Sequence, residues 1–427
     1  MLEYLHLMNV GPAPDMTMEL APRLNLITGD NGLGKSFLLD IAWWALTRTW
    51  AGRPALPRSF HQAAGNIEFS FEGKVKSNRY TSTFDRKTQS WTGRAGRPAN
   101  PGLVLYAAVD GGFSVWDPAR NYWRKKGNID IQDRPAAYLF DPRSVWDGLA
   151  GEDRSTLCNG LIRDWASWQK EKGNPFNQLK AALGSLSPPG PDVLVPGGLT
   201  RISLDDVRDI PTLRMPYGQD VPIVHASAGV RRIVALAYLL VWAWNEHCKA
   251  SELLGQQPTH QVIFLIDEVE AHLHPRWQRV IMRALLTVVK ALTGTSADMR
   301  MQIITATHSP LVLASIEPFF RSDDAWFDLD LVQGTQHDEW DVVLQKRNWV
   351  RRGDVSQWLT SEAFDLGSAR SLEAEKLLEE AARALSDESF DTQAAMKLDK
   401  KLREVLGDTD PFWMRWRFVG EKRGWLS

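Results

Sequence analysis

The apolar residues of this chain fall into two rhythms. Short apolar runs of strand length alternate with longer stretches in which apolar positions recur every three or four residues, the spacing of one helix face. Residues 1–20 alternate around the Gly11-Pro12 turn and predict two strands. Residues 24–27 form an apolar run interrupted by Asn25, read as a strand, and residues 37–44 a long apolar helix. A polar connection rich in Pro and Arg follows at 48–58. Between 66 and 140, apolar runs at 67–71, 103–109 and 113–116 are separated by turn residues. A further hairpin there ends in Tyr122-Trp123-Arg124-Lys125-Lys126. This stretch predicts an antiparallel β-subdomain.

Leu157, Leu161, Trp165 and Trp168 lie at helical spacing, and residues 176–186 predict a second helix of the same insert. Pro188-Pro189-Gly190-Pro191 and Pro196-Gly197-Gly198 predict a loop, with strands returning at 199–204, 212–215 and 221–224. A long apolar helix at 230–245 leads to a buried strand at 262–266. Pro275 then opens a helix with Val280, Ile281, Leu285 and Val288 on its apolar side, and a strand follows at 301–307. Strands that alternate with helices and each end in polar residues predict an α/β fold. Its core sheet is mostly parallel, with the site along one edge.

A hairpin at 326–344 and a basic run (Lys346, Arg347, Arg351, Arg352) precede two amphipathic stretches, which predict a C-terminal helical hairpin. One carries Ala374, Leu377, Leu378, Ala381 and Leu385; the other Ala395, Leu398, Leu402 and Val405. The expected parts are residues 1–150, an insert at 151–225, a second core segment at 226–345 and a C-terminal part at 346–427.

Composition changes this picture little. A chain of 427 residues, 44% hydrophobic and 24% charged, buries a large core in two or three lobes. A net charge of −2 exerts no global pull on nucleic acid, so such a partner would have to meet a local patch. Candidates are Arg120/Arg124/Lys125/Lys126, Lys346/Arg347/Arg351/Arg352 and Arg415/Trp416/Arg417. Cys158 and Cys248 lie far apart and outside any metal-ligand spacing, which suits a reducing cytoplasm. No basic n-region precedes an apolar core at the N-terminus, and the apolar segment 233–244 is too short to span a bilayer. A cytoplasmic protein with no membrane partner is expected.

The candidate chemistry begins at Thr28-Gly29-Asp30-Asn31-Gly32-Leu33-Gly34-Lys35-Ser36, which matches the phosphate-binding loop G-x-x-x-x-G-K-[ST] between a strand and a helix. Glycines let the loop turn its N–H groups inward on a triphosphate, and the following helix presents its positive end to the same anion. Asn31, Gly32, Gly34, Lys35, Ser36 and Phe37 are therefore the expected nucleotide cradle. Lys35 reaches the terminal phosphates and Ser36 helps hold Mg²⁺.

Asp267 and Glu268, at the end of an apolar strand, complete that chemistry: Asp267 on the metal, Glu268 as general base toward the attacking water. His308, at the tip of the next strand, is placed to meet the γ-phosphate or that water. Ser227-Ala228-Gly229 opens the long apolar helix as a second anion site. One triphosphate does not need two such sites on one chain, whereas two chains facing head-to-tail do.

The set GDNGLGKS, HASAGVRR, VIFLIDEVEAHLHP and ITATHSP, in that order over residues 1–316, resembles the ABC-type ATPase heads of the SMC and RecF-like group. In that family's terms these are the Walker A, signature, Walker B with D-loop, and switch-histidine elements. The resemblance implies that Ser227 and Gly229 touch ATP held by a partner chain and that residues 270–274 form the loop crossing the dimer. His272 and His274 then belong to that loop rather than to a metal site. The signature reads SAGV where the family has SGGQ, and no glutamine occupies the Q-loop position. That loop is placed near Asp141-Pro142-Arg143, with Gln132 a distant candidate. No long coiled coil separates Walker A from the signature.

EAHLHP and the C-terminal helices are most similar to stand-alone ATPases of bacterial anti-phage systems of the Septu and retron-associated kind. This implies an ATP- and Mg²⁺-dependent homodimer, or a higher oligomer of such dimers, that gates a separate nuclease or toxin. The alternatives are a RecF-like repair ATPase acting directly on DNA and, more remotely, a transporter's nucleotide-binding subunit.

Overall fold

Eight strands form the central sheet, in the order Trp340–Arg347, Ala325–Gln333, Leu24–Gly29, Arg300–Ala306, Gln261–Ile266, Leu103–Ala107, Phe113–Trp116 and Tyr138–Phe140. The run from Ala325–Gln333 to Leu103–Ala107 is parallel throughout, and the flanking strands are antiparallel. Parallel strands covered on both faces read as continuous apolar runs. Accordingly Leu24, Leu26, Ile27, Val262, Ile263, Phe264, Leu265 and Ile266 are all buried. The register decides where chemistry can occur. Ile27 lies opposite Ala306, and Thr305 opposite Ile266, so the carboxyl ends of these three strands come level. Open α/β sheets bind ligands along that edge.

This computed structural model describes residues 1–58, 64–72, 79–93, 100–121, 135–293, 299–333 and 340–425. The chain divides into two compact units, Met1–Gly353 and Asp354–Ser427. In the first, a separate antiparallel sheet runs Asp15–Glu19, Leu2–Met8, Asn66–Phe71, Tyr80–Asp85, Ser90–Trp91. It takes the first two strands of the chain, and the runs at 103–109 and 113–116 join the central sheet instead. Four consecutive buried residues, Leu103 to Tyr106, mark a strand covered on both faces rather than the half-exposed alternation of an outlying sheet.

The insert holds helices Leu161–Glu171 and Asn174–Leu186. Leu157 is not on the first of them: it lies on the strand Thr156–Cys158, opposite Leu149–Ala150. Gly160 separates the two elements with φ +88°, where a Cβ would come 2.3 Å from the Gly148 nitrogen. Residues 196–198, expected in a loop, lie within the strand Val195–Thr200. Its register against Ile210–Arg214 shifts between Pro196 and Leu199, so the strand absorbs Gly197-Gly198 as an irregularity. The apolar helix expected at 230–245 spans Ala228–Leu253. No described helix is long and apolar enough to cross a membrane.

The second unit adds a helix, Phe412–Lys422, to the expected pair Leu372–Ser386 and Thr392–Val405. Trp413, Trp416 and Gly420 recur at helical spacing and are buried with Ala381, Leu398 and Leu402. Trp416 is fully buried and donates its indole N–H to Asp399 (2.9 Å), so it offers no face to a base.

Two of the other basic candidates are also engaged, whereas Lys346, Arg351, Arg415 and Arg417 are exposed. The Arg120 guanidinium meets Asp117 (3.1 Å) and Glu246 (3.1 Å), and Arg347 meets Asp328 (3.4 Å) and Asp330. Tyr122, Trp123, Arg124, Lys125, Lys126 and Gln132 lie outside the described residues.

Candidate active site

The loop between Leu24–Gly29 and the helix Lys35–Thr47 is shaped by its glycines. Gly29, Gly32 and Gly34 all have positive φ; Gly34 stands at +106° with Pro12 only 2.8 Å from where a Cβ would lie. A side chain at Gly34 would strain the turn and collide with Pro12 together. Asn31, Gly32 and Ser36 are exposed at the mouth of the cradle. The Phe37 ring packs over Gly11, leaving its first-turn N–H as its contribution to the cradle.

Lys35 is buried, and its ammonium donates to the main-chain carbonyls of Gly29 (2.8 Å) and Asp30 (2.7 Å). Burial lowers its pKa, opposed by the negative charges of Glu268, Asp267, Asp30 and Asp328.

The level strand ends bring the other residues in. Asp267 is buried at the end of Gln261–Ile266 and hydrogen-bonded to Ser36. Burial raises the pKa of this carboxyl, and the contacts with Ser36, Arg232 and Lys35 lower it. A hydroxyl and a carboxylate brought together are two hard oxygen donors, a set that fits Mg²⁺. Glu268 follows in the left-handed region, φ +46°, which turns its side chain out of the strand line. Its Oε1 lies 3.8 Å from His308 Nε2. Desolvation and the Lys35 charge lower the pKa of His308, opposed by the charges of Glu268 and Asp30, which favours the neutral imidazole, able both to donate and to accept.

Three residues whose contacts the sequence alone did not assign hold this arrangement together. Glu270 accepts from the Thr307 hydroxyl (2.8 Å) and from the main-chain N–H of His308, which ties the crossing loop to the switch-histidine strand end. Gln278 adds a second tie, accepting from Ser309 (2.7 Å) and donating to the Leu273 carbonyl (2.9 Å). Arg232, one turn into the signature helix, donates to the carbonyls of Val109 (2.8 Å), Asp267 (3.0 Å) and Glu268 (3.2 Å). Main-chain partners leave no residue-type signature, which is why the Arg232 contacts were not visible beforehand.

The signature residues sit differently. Ser227 is exposed and caps its helix, accepting from the Val230 N–H at 3.4 Å. Gly229 is pressed against the crossing loop: a Cβ there would stand 2.5 Å from the His272 carbonyl. Asp141, placed in the expected Q-loop, caps the short helix Pro142–Asp147 by accepting from the Ser144 N–H. Among the described residues no cluster of three metal-ligating side chains occurs, and His272 and His274 belong to none.

A family model described as "AAA domain, putative AbiEii toxin, Type IV TA system" matches residues 24–314. Among curated proteins, the chain is similar to "Retron Ec83 probable ATPase" of Escherichia coli, 29% identical over 164 residues, which cover 38% of this chain and 26% of that one. It is also similar to "Retron Vc95 probable ATPase" of Vibrio cholerae serotype O1 biovar El Tor, 27% identical over 125 residues, 26% of this chain and 21% of that one. The chain thus spans about a quarter of the length of the curated relatives it matches.

Of solved structures, the SMC head domain from Thermotoga maritima aligns with a TM-score of 0.38 and 15% identity, over 82% of this chain and 99% of that one. The recombination mediator protein RecF aligns with a TM-score of 0.36 and 14% identity, over 81% and 98%. The family match runs from the phosphate-loop strand through the switch histidine and so takes in every motif of the site. This chain belongs to the family described as "AAA domain, putative AbiEii toxin, Type IV TA system".

Proposed function

We propose that this chain is an ATPase that works as a switch: two copies close head-to-tail on ATP, hydrolysis reopens them, and the motion gates a separate effector protein. The observation that carries the reading is the meeting of Lys35, Ser36, Asp267, Glu268 and His308 at one edge of the sheet, with Ser36 bonded to Asp267 and Glu268 3.8 Å from His308. Lys35 and the loop N–H groups of residues 31–37 bind and orient the triphosphate. Ser36 and Asp267 hold Mg²⁺, which when bound offsets charge on the phosphates. Glu268 takes a proton from the attacking water at its carboxylate, and neutral His308 fixes that water or the γ-phosphate by a hydrogen bond.

The exposure of Ser227 supports the dimer: its helix start is free to meet a nucleotide held by a second copy. The similarity to two retron ATPases supports an effector of the nuclease or toxin kind in anti-phage defence. Direct action on DNA is less well supported, because Arg120 and Arg347 are engaged by carboxylates and Trp416 is buried. The test is a steady-state phosphate-release assay on the wild-type chain and on Glu268→Gln. The reading expects turnover in the first and its near-complete loss in the second. Equal rates in both would remove Glu268 from the mechanism and the reading with it.

A further inference from the structure

The helix Ala228–Leu253 does not rest evenly on the sheet edge it serves. Beneath its first turns lies a cavity of about 280 Å³. Ile233, Leu236 and Leu239 line it from the helix, and Val109, Ile266 and Val269 from the sheet side. Apolar contact transmits position only where atoms touch, and an open cleft of this size thins that contact. Besides the packing of Gly229 on His272, what spans the cleft by hydrogen bonds is Arg232. Its guanidinium is largely withdrawn from water and donates to the carbonyls of Val109, Asp267 and Glu268. Two of those carbonyls lie on either side of the Cα of Glu268, which stands in the left-handed conformation, a backbone state uncommon for side-chain-bearing residues.

We infer that Arg232 is a positioning residue for hydrolysis: it pins the Asp267–Glu268 peptide and so makes the aim of the general base follow the position of the Ser227 helix. This rests on the ATPase reading above and deepens it. Ser227 lies five residues before Arg232 in the chain, so a nucleotide engaged by the helix start moves the guanidinium that holds Glu268. Hydrolysis in one copy then depends on contact with the nucleotide of the other. A chain without a partner keeps its ATP.

The experiment compares wild type, Arg232→Lys, Arg232→Ala, Glu268→Gln and the double variant Glu268→Gln/Arg232→Ala, with ATP affinity and turnover measured separately. Arg232→Ala is expected to lower kcat by roughly ten- to a hundredfold, the cost of a misaimed group, while ATP binds within about twofold of wild type. Lysine replaces three fixed donors with one mobile head and is expected to fall between. Guanidinium chloride at low millimolar concentration is expected to restore part of the Arg232→Ala rate. In the Glu268→Gln background the second change is expected to cost nothing more, because both act through one group.

If Arg232→Ala proves unstable, Arg232→Lys and its double with Glu268→Gln carry the same comparison. An unchanged kcat in the Arg232 variants, or a further full loss in the double variant, would overturn the inference while leaving the ATPase intact. An unchanged kcat in Glu268→Gln alone would instead overturn the reading on which it rests.

Discussion

In the loop half of the site the functional groups look inward. Lys35 is buried and donates to its own loop, Ser36 is bonded to Asp267, and Asp267 is buried behind both. In the signature half they look outward: Ser227 is exposed, caps nothing but its own helix, and is joined to the catalytic strand ends through Arg232 and the packing of Gly229 on His272. A site that folds complete within one chain has no use for a second anion-binding helix start facing solvent. On the proposed reading, the contrast means that binding is a property of one chain and hydrolysis of two.

The comparison is broken most directly at Lys35. Lys35→Ala removes the one cation of the loop half, and ATP affinity measured by titration calorimetry is expected to fall by roughly a hundredfold or more, about 3 kcal/mol of charge-assisted contact. Glu268→Gln leaves binding intact and removes the proton acceptor, so turnover is expected to fall by roughly a hundred- to ten-thousandfold with affinity unchanged. Ser227→Arg acts only on the outward half. A single chain is expected to bind ATP as before, while turnover falls by roughly a hundredfold, as for a lost transition-state donor. If Ser227→Arg weakened binding as strongly as Lys35→Ala, the two halves would not be separable.

Much of the inward half was legible in the sequence, and little of what supports it. The loop, the strand behind it and Asp267-Glu268 announce themselves because glycines, a lysine and a run of β-branched and aromatic apolar residues have few other uses in that order. Leu157 misleads because four residues on is both a helical turn and an even strand interval, and only the backbone at Gly160 separates the two. The helix Phe412–Lys422 hid behind Arg415 and Arg417, whose charge suggested a patch while Trp413 and Trp416 carried the buried face. The contacts of Arg232 were invisible for a different reason: its partners are main-chain groups brought close only by the sheet register.

Two smaller effects sharpen the contrast. Gly229→Ala forces a methyl against the His272 carbonyl, and thermal or denaturant unfolding is expected to register a loss of roughly 1–3 kcal/mol from overpacking. Asp40, which accepts from the Tyr106 hydroxyl at 3.0 Å, has its pKa raised to about 6 by burial. Its folded value lies above its unfolded one, so the folded state binds the extra proton. The contribution of Asp40 to stability is therefore greatest at low pH and is lost as pH rises from about 4 through 6, with no further change above. Asp40→Asn keeps the acceptor and removes the charge. It is expected to gain about 2 kcal/mol over wild type at pH 7.5 and nothing at pH 4, read from denaturation midpoints at both pH values.

The central claim is that two copies complete each catalytic pocket, and mass measured in solution tests it most directly. Glu268→Gln, expected to hold ATP without consuming it, would be run in a sedimentation experiment with and without ATP and Mg²⁺, beside Glu268→Gln/Ser227→Arg. The account predicts that adding nucleotide doubles the mass of the first and leaves the second unchanged. A Glu268→Gln chain that binds ATP and shows no change of mass would contradict it.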